Sequence, residues 1–201
     1  MATIQAHRVI FDPQLTDEEY DELCRAFSSM QIEIRGGEIF MNPPTGGETG
    51  DANSEIAAQL RNWWKTHRRG RCFDSSTEFI FPDAASPASR DRMCPDAAYV
   101  TEERLGQLPK GALKGYPPVC PNFVIELRSP SDSLKEAQEK MERWAKNGAA
   151  LGWLIDPKDR RCYIYNAFGL IGEVSSASSL TGINPVQGFV LDLEEVWSCY
   201  E

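Results

Sequence analysis

The 201-residue chain sets 21 Lys and Arg against 30 Asp and Glu, a formal net charge of −9, with 41% hydrophobic and 25% charged residues. That composition suits one globular domain over 1–201 with a real core, while the acidic balance excludes a protein that grips nucleic acid over its whole surface, because phosphate binding draws on basic side chains. No apolar run approaches the roughly 20 residues that span a bilayer, and the opening MATIQAHRVIFDP lacks the basic-then-apolar layout of a secretory signal, so a cytoplasmic location is expected.

Along the chain, Thr16 and Glu19 form a capping box, and Tyr20, Leu23, Cys24 and Phe27 follow at helical spacing. Residues 30–41 alternate apolar and polar about Gly36-Gly37, which predicts a hairpin. The polar, Gly- and Pro-rich stretch 42–51 reads as a loop, and a helix is expected over about 52–67, with Ile56, Leu60, Trp63 and Trp64 on one side. Arg61, Lys65, His67, Arg68, Arg69 and Arg71 gather at and beyond its end, where cations suit the helix dipole. Strands are expected at 77–81, 94–100 and 122–128, with 101–121 a loop holding at most a short helix. A second capping box, Ser133 and Glu136, opens a helix that Asn147-Gly148 closes. Strands at 152–156 and 161–166, a weak strand near 187–191 and a short helix at 193–198 complete the reading.

The unit strand 122–128, helix 133–147, strand 152–156 favours a right-handed parallel crossover. With the hairpin before it, the expectation is an α/β fold with a mixed sheet flanked by helices. GGETG at 46–50 has neither the spacing nor the preceding strand of a nucleotide-binding loop. Six scattered cysteines without a CxxC are expected as free, mostly buried thiols, and His7 and His67 are too far apart in sequence to suggest zinc.

Two carboxylates stand where structure alone would not put them. Glu126 interrupts the apolar run Phe123-Val124-Ile125-Glu126-Leu127, and Asp96 opens the apolar segment Asp96-Ala97-Ala98-Tyr99-Val100. A buried carboxylate needs a cation, supplied by a basic side chain or by a metal. Two carboxylates on adjacent strands suit Mg²⁺ or Mn²⁺, and a nearby ammonium would complete a phosphoryl-transfer site.

The order Pro95-Asp96, a gap, then Ile125-Glu126-Leu127-Arg128 resembles the PD-(D/E)XK nuclease superfamily. More closely, the run from TGGETG through PDAAYV to FVIELRSPSDSLKEAQEKMERWAKNGAALGWLIDP resembles the bacterial Uma-type family assigned as restriction endonucleases. The resemblance implies a restriction-endonuclease-like fold and a Mg²⁺- or Mn²⁺-dependent endonuclease acting on DNA. It makes Asp96 and Glu126 metal ligands and matches Glu55 to the acidic helix residue that assists the metal in many members. Arg128 stands where the pattern has Lys, free to pair with Glu126 or to contact a phosphate, but it is a poor base because it does not shed its proton. Lys140 lies at the edge of the buried stripe Ala137, Met141, Trp144 and matches the variant in which the lysine has moved to the helix. Ser129, Ser131 and Asp132 cap the turn that follows. A homodimer is the expected arrangement if both strands of a duplex are cut. The competing readings are a non-catalytic, possibly dimeric, binding module, which the acidic charge and Arg128 favour, and a two-carboxylate glycosidase, for which no aromatic sugar platform is evident.

Overall fold

The computed structural model describes residues 15–81 and 90–201, together with the backbone of Arg8–Val9. In chain order the first elements are Arg8–Val9 (β1), Asp17–Ala26 (α1), Gln31–Arg35 (β2), Glu38–Asn42 (β3) and Gly47–His67 (α2). Arg71–Asp74 (β4), Phe79–Ile80 (β5), Arg92–Met93 (β6), Ala97–Val100 (β7) and Glu102–Gly106 (α3) follow. The crossover unit is Phe123–Leu127 (β8), Leu134–Lys146 (α4) and Leu151–Asp156 (β9). The chain ends with Arg161–Asn166 (β10), Gly169–Ser175 (β11), Ser179–Thr181 (β12), Val190–Asp192 (β13) and Leu193–Ser198 (α5).

The hairpin and both capping boxes form as the residues dictate. Gly36 and Gly37 both take positive φ, 65° and 83°, as a tight hairpin of this length requires. Thr16 accepts from the Glu19 amide to start α1, and Ser133 accepts from Glu136 to start α4. Helix α2 begins at Gly47, earlier than the expected 52, because Thr49 and Ala52 extend the buried stripe of Ile56 and Leu60 back into the Gly-rich stretch. Gly46 provides an extended residue before it (φ −67°, ψ 165°), and Glu48 suits the positive end of the helix dipole.

The strand expected at 94–100 is confined to Ala97–Val100 (β7), and the short β6 just before it lies in another sheet. β6 belongs to a five-stranded antiparallel sheet ordered β1-β3-β2-β6-β5, and β7 to a six-stranded sheet ordered β11-β10-β9-β8-β7-β4. Cys94-Pro95-Asp96 is therefore the crossing between the sheets, and Pro95, which cannot donate a ladder hydrogen bond, sits where pairing breaks. In the larger sheet β8 and β9 pair in parallel across α4, as the spacing requires, while the other ladders are antiparallel.

Alternate residues of the large sheet feed two cores. Ala97, Tyr99, Phe123, Ile125, Leu151 and Trp153 pack with α2, α5 and Phe189. Ala98, Val100, Val124 and Leu154 pack with Met141 and Trp144 of α4 and with Phe79, Phe81 and Met93 from the region of the smaller sheet. By this alternation Glu126 faces the α4 side. Gly70, at φ +67°, lets the chain leave α2 for β4: a Cβ there would lie 2.3 Å from the Val100 carbonyl oxygen. All six cysteines are free, with Cys94, Cys120 and Cys162 buried. Among the described residues no helix is long and apolar enough to cross a membrane.

Candidate active site

Strands β7 and β8 are antiparallel, with Ala97 opposite Ile125. Asp96, the residue just before β7, and Glu126, the residue just after Ile125, therefore stand at the same end of this ladder. Asp96 is held from two sides: the Leu127 amide donates to Oδ2 at 2.7 Å, and Asn53 Nδ2 of α2 donates to Oδ1 at 2.8 Å. Glu126 is buried, at 6% exposure. Its Oε1 accepts from Trp144 Nε1 at 2.6 Å, and its Oε2 lies 2.9 Å from Lys140 Nζ. Both partners come from α4, four residues apart and hence on one face of the helix. Lys140 also donates to the Cys94 carbonyl oxygen at 2.8 Å and pairs with Glu33 Oε1 at 3.2 Å.

Asp96, Glu126 and Lys140 are thus brought together, and two other sequence candidates are not. Arg128 follows the last residue of β8, and its Nη1 pairs with buried Asp156 at 2.6 Å while Nε donates to the Asp132 carbonyl. Of the partners open to it, the ion pair is with Asp156 and not with Glu126. Glu55 lies half-buried on α2 and accepts from Gln59 Nε2 at 2.9 Å. From that helix it is Asn53 that bonds Asp96.

Sequence reasoning missed Glu33, Asn53 and the Trp144 N–H. In Ile32-Glu33-Ile34 strict alternation places Glu33 on a polar, solvated face, yet all three residues are buried. The hairpin's second face is closed by the rest of the site, a non-local fact that no periodicity encodes. Trp144 was legible as core, but not its donor to Glu126.

Electrostatically the cluster is short of positive charge. Burial pushes the Glu126 carboxyl up to about 8, with Lys140 opposing the rise and Asp96 and Glu33 adding to it. Burial also raises Asp96, against the pull of Lys140 and of its two hydrogen bonds. For Glu33 burial acts upward, but Lys140, Arg35 and the Cys94 amide outweigh it and the carboxyl is lowered. Burial would lower Lys140, yet Glu126 and Glu33 raise it above the ordinary lysine value.

These shifts have a signed consequence for stability. Folded Glu126 keeps a proton that the unfolded chain releases near its ordinary 4.5, so its contribution is complete below that pH and is lost as pH rises through about 8. Urea unfolding free energies measured from about pH 5 to about pH 8 are expected to decline, and Glu126→Gln to flatten the decline. Raised Asp96 leaves a residual slope. Lowered Glu33 acts in the opposite sense, losing its contribution as pH falls, so it does not produce this decline.

The residues suit a hard divalent cation. Asn53 Oδ1 is buried without a hydrogen-bond partner beside Asp96, and such an acceptor calls for a water or a cation. The neighbouring donors are the carboxylate oxygens of Asp96 and Glu126, whose pKa values burial raises, so that a bound cation would favour their charged forms. Among the described residues no three His, Cys, Asp or Glu side chains form a complete metal cage. That is no obstacle for Mg²⁺, which commonly takes one or two carboxylates and fills its remaining positions with water and phosphate oxygens.

The fold is similar to the crystal structure of a "putative nuclease belonging to DUF820" from Anabaena variabilis, with a TM-score of 0.73 at 20% sequence identity over 94% of this chain and 100% of that one. The search of curated proteins gave no match. The model of the Uma2 family, described as "Putative restriction endonuclease", matches residues 17–193, from the first residue of α1 to the first of α5, and so takes in the six-stranded sheet, the smaller sheet apart from β1, and every residue of the cluster. With the restriction-endonuclease-like architecture the sequence implied, and a match over most of its length, this chain belongs to the Uma2 family.

Proposed function

We propose that the protein is a nuclease that hydrolyses phosphodiester bonds in DNA with a divalent cation held by Asp96 and Glu126. The observation that carries this reading is the Lys140 ammonium, 2.9 Å from Glu126 at the end of the β7–β8 ladder where Asp96 also stands. A bound Mg²⁺ or Mn²⁺ supplies Lewis-acid chemistry at a phosphoryl oxygen. The chain's own residues do the rest. The Leu127 amide and Asn53 fix Asp96, Trp144 fixes Glu126, and Lys140 provides a positive charge in a buried setting, where it stabilises developing phosphoryl charge far more than it would in water. Lys140, and not Arg128, is the working cation, because Arg128 is committed to Asp156. Cutting both strands of a duplex needs two such sites, which a homodimer would supply.

The test is nicking of supercoiled plasmid by the purified protein. Conversion to the open circle is expected with Mg²⁺ or Mn²⁺ and is stopped by a chelator. Absence of nicking with either ion would overturn the reading and favour a binding module on the same fold.

A further inference from the structure

We propose that Glu33 is a positioning residue that holds the Lys140 ammonium in the site, so that Lys140 stays in place when Glu126 turns to a cation. The inference rests on the nuclease reading for its catalytic meaning, but its geometry stands apart from it. An ammonium has three N–H donors. Around Lys140 Nζ stand three acceptors: the Cys94 carbonyl at 2.8 Å, Glu126 Oε2 at 2.9 Å and Glu33 Oε1 at 3.2 Å. The ammonium is therefore held by one hydrogen bond and two ion pairs, all to groups of the protein itself.

Glu33 is itself clamped. It is fully buried, its Oε1 accepts from the Cys94 amide at 2.7 Å, and its Oε2 accepts from Asn42 Nδ2 at 3.3 Å with Arg35 at 3.6 Å. Cys94 thus gives its N–H to Glu33 and takes a proton of Lys140 on its carbonyl, closing a ring of contacts among β2, the crossing that carries Asp96, and α4. The ring does not pass through Glu126. When Glu126 leaves Lys140 for a cation, Glu33 and Cys94 keep the ammonium anchored and one N–H becomes free for the substrate. Without that anchor the lysine's side-chain freedom would have to be lost at each encounter with substrate.

The experiment reads the ammonium directly. In ¹⁵N spectra of the metal-free 201-residue protein, the Lys140 NH₃⁺ signal, assigned by its loss in Lys140→Arg, is expected to be protected from exchange. In Glu33→Gln, which can still accept from Cys94, exchange is expected to quicken roughly tenfold or more, the equivalent of one charged hydrogen bond. In the plasmid assay kcat is expected to fall on the order of 10–100-fold, the range for a group that orients a site residue, with KM for DNA unchanged. Glu33→Asp, which keeps the charge, is expected to recover part of the loss. An unchanged NH₃⁺ signal in Glu33→Gln would overturn the proposal. Should that variant fail to fold, the wild-type protein still decides: a scalar coupling across the hydrogen bond from Lys140 Nζ to Glu33 Cδ supports it, and coupling to Glu126 alone overturns it. Glu33-dependent protection in a protein that cuts no DNA would support the positioning and strike only the nuclease reading.

Discussion

Glu126→Ala and Asp96→Ala are each expected to reduce the proposed metal-dependent nicking by at least about 10²–10³-fold, the scale of losing one well-placed stabilising group in a buried site. Their folding costs differ. Removing Glu126 strands one donor, the Trp144 N–H, but takes away a carboxyl that burial has already driven up to about 8, and Lys140 keeps Glu33 and the Cys94 carbonyl. Glu126→Ala should therefore remain folded while inactive. Removing Asp96 leaves the Leu127 amide and the Asn53 side chain without their acceptor, at about 1–3 kcal/mol for buried polar groups stranded in this way. Asp96→Asn, which keeps an acceptor oxygen, is the better activity variant. Urea unfolding alongside the nicking assay separates loss of chemistry from loss of fold.

Trp144→Ala is expected to destabilise the protein by about 3–5 kcal/mol, the usual range for truncating a buried tryptophan. The ring is fully buried. It meets Phe81 edge-on at 5.5 Å and Phe79 at 6.5 Å, filling the space between α4 and the smaller sheet. Against a total stability of about 5–15 kcal/mol the loss is a large fraction of the whole. Trp144→Phe isolates the other role of this residue. It keeps most of the volume but strips the N–H from Glu126 Oε1, so a smaller stability cost should accompany a loss of activity. Measuring both variants in urea and in the plasmid assay shows how far the same side chain serves core and site.

The parts of this molecule that were legible from sequence are those written in local patterns. The capping boxes of α1 and α4, the Gly36-Gly37 turn and the β8–α4–β9 crossover all follow from residues a few positions apart. Glu126 announced itself by polarity in an apolar strand, and Lys140 by its place at the edge of the Met141–Trp144 stripe. What escaped depends on distant partners. β4 is short and at the sheet edge, and β11 exposes Leu170 and Ile171 between glycines, so neither shows a clean alternation. β7 is shorter than 94–100 because Cys94-Pro95-Asp96 crosses between sheets, a crossing set by which neighbours β6 and β7 find, β2 and β5 for one, β4 and β8 for the other. Glu33 looked like a surface residue until α4 and the Cys94 crossing were packed over it. Arg128 looked available until Asp156, in the adjacent parallel strand, claimed it.

The proposed account stands or falls on a cation held between Asp96 and Glu126. Calorimetric titration of Mn²⁺ into the wild-type protein and into the Asp96→Asn, Glu126→Gln double variant tests it most directly. Saturable binding by the wild type that disappears in the folded double variant is the predicted result. Equal binding by the two proteins, or none by the wild type, would contradict it.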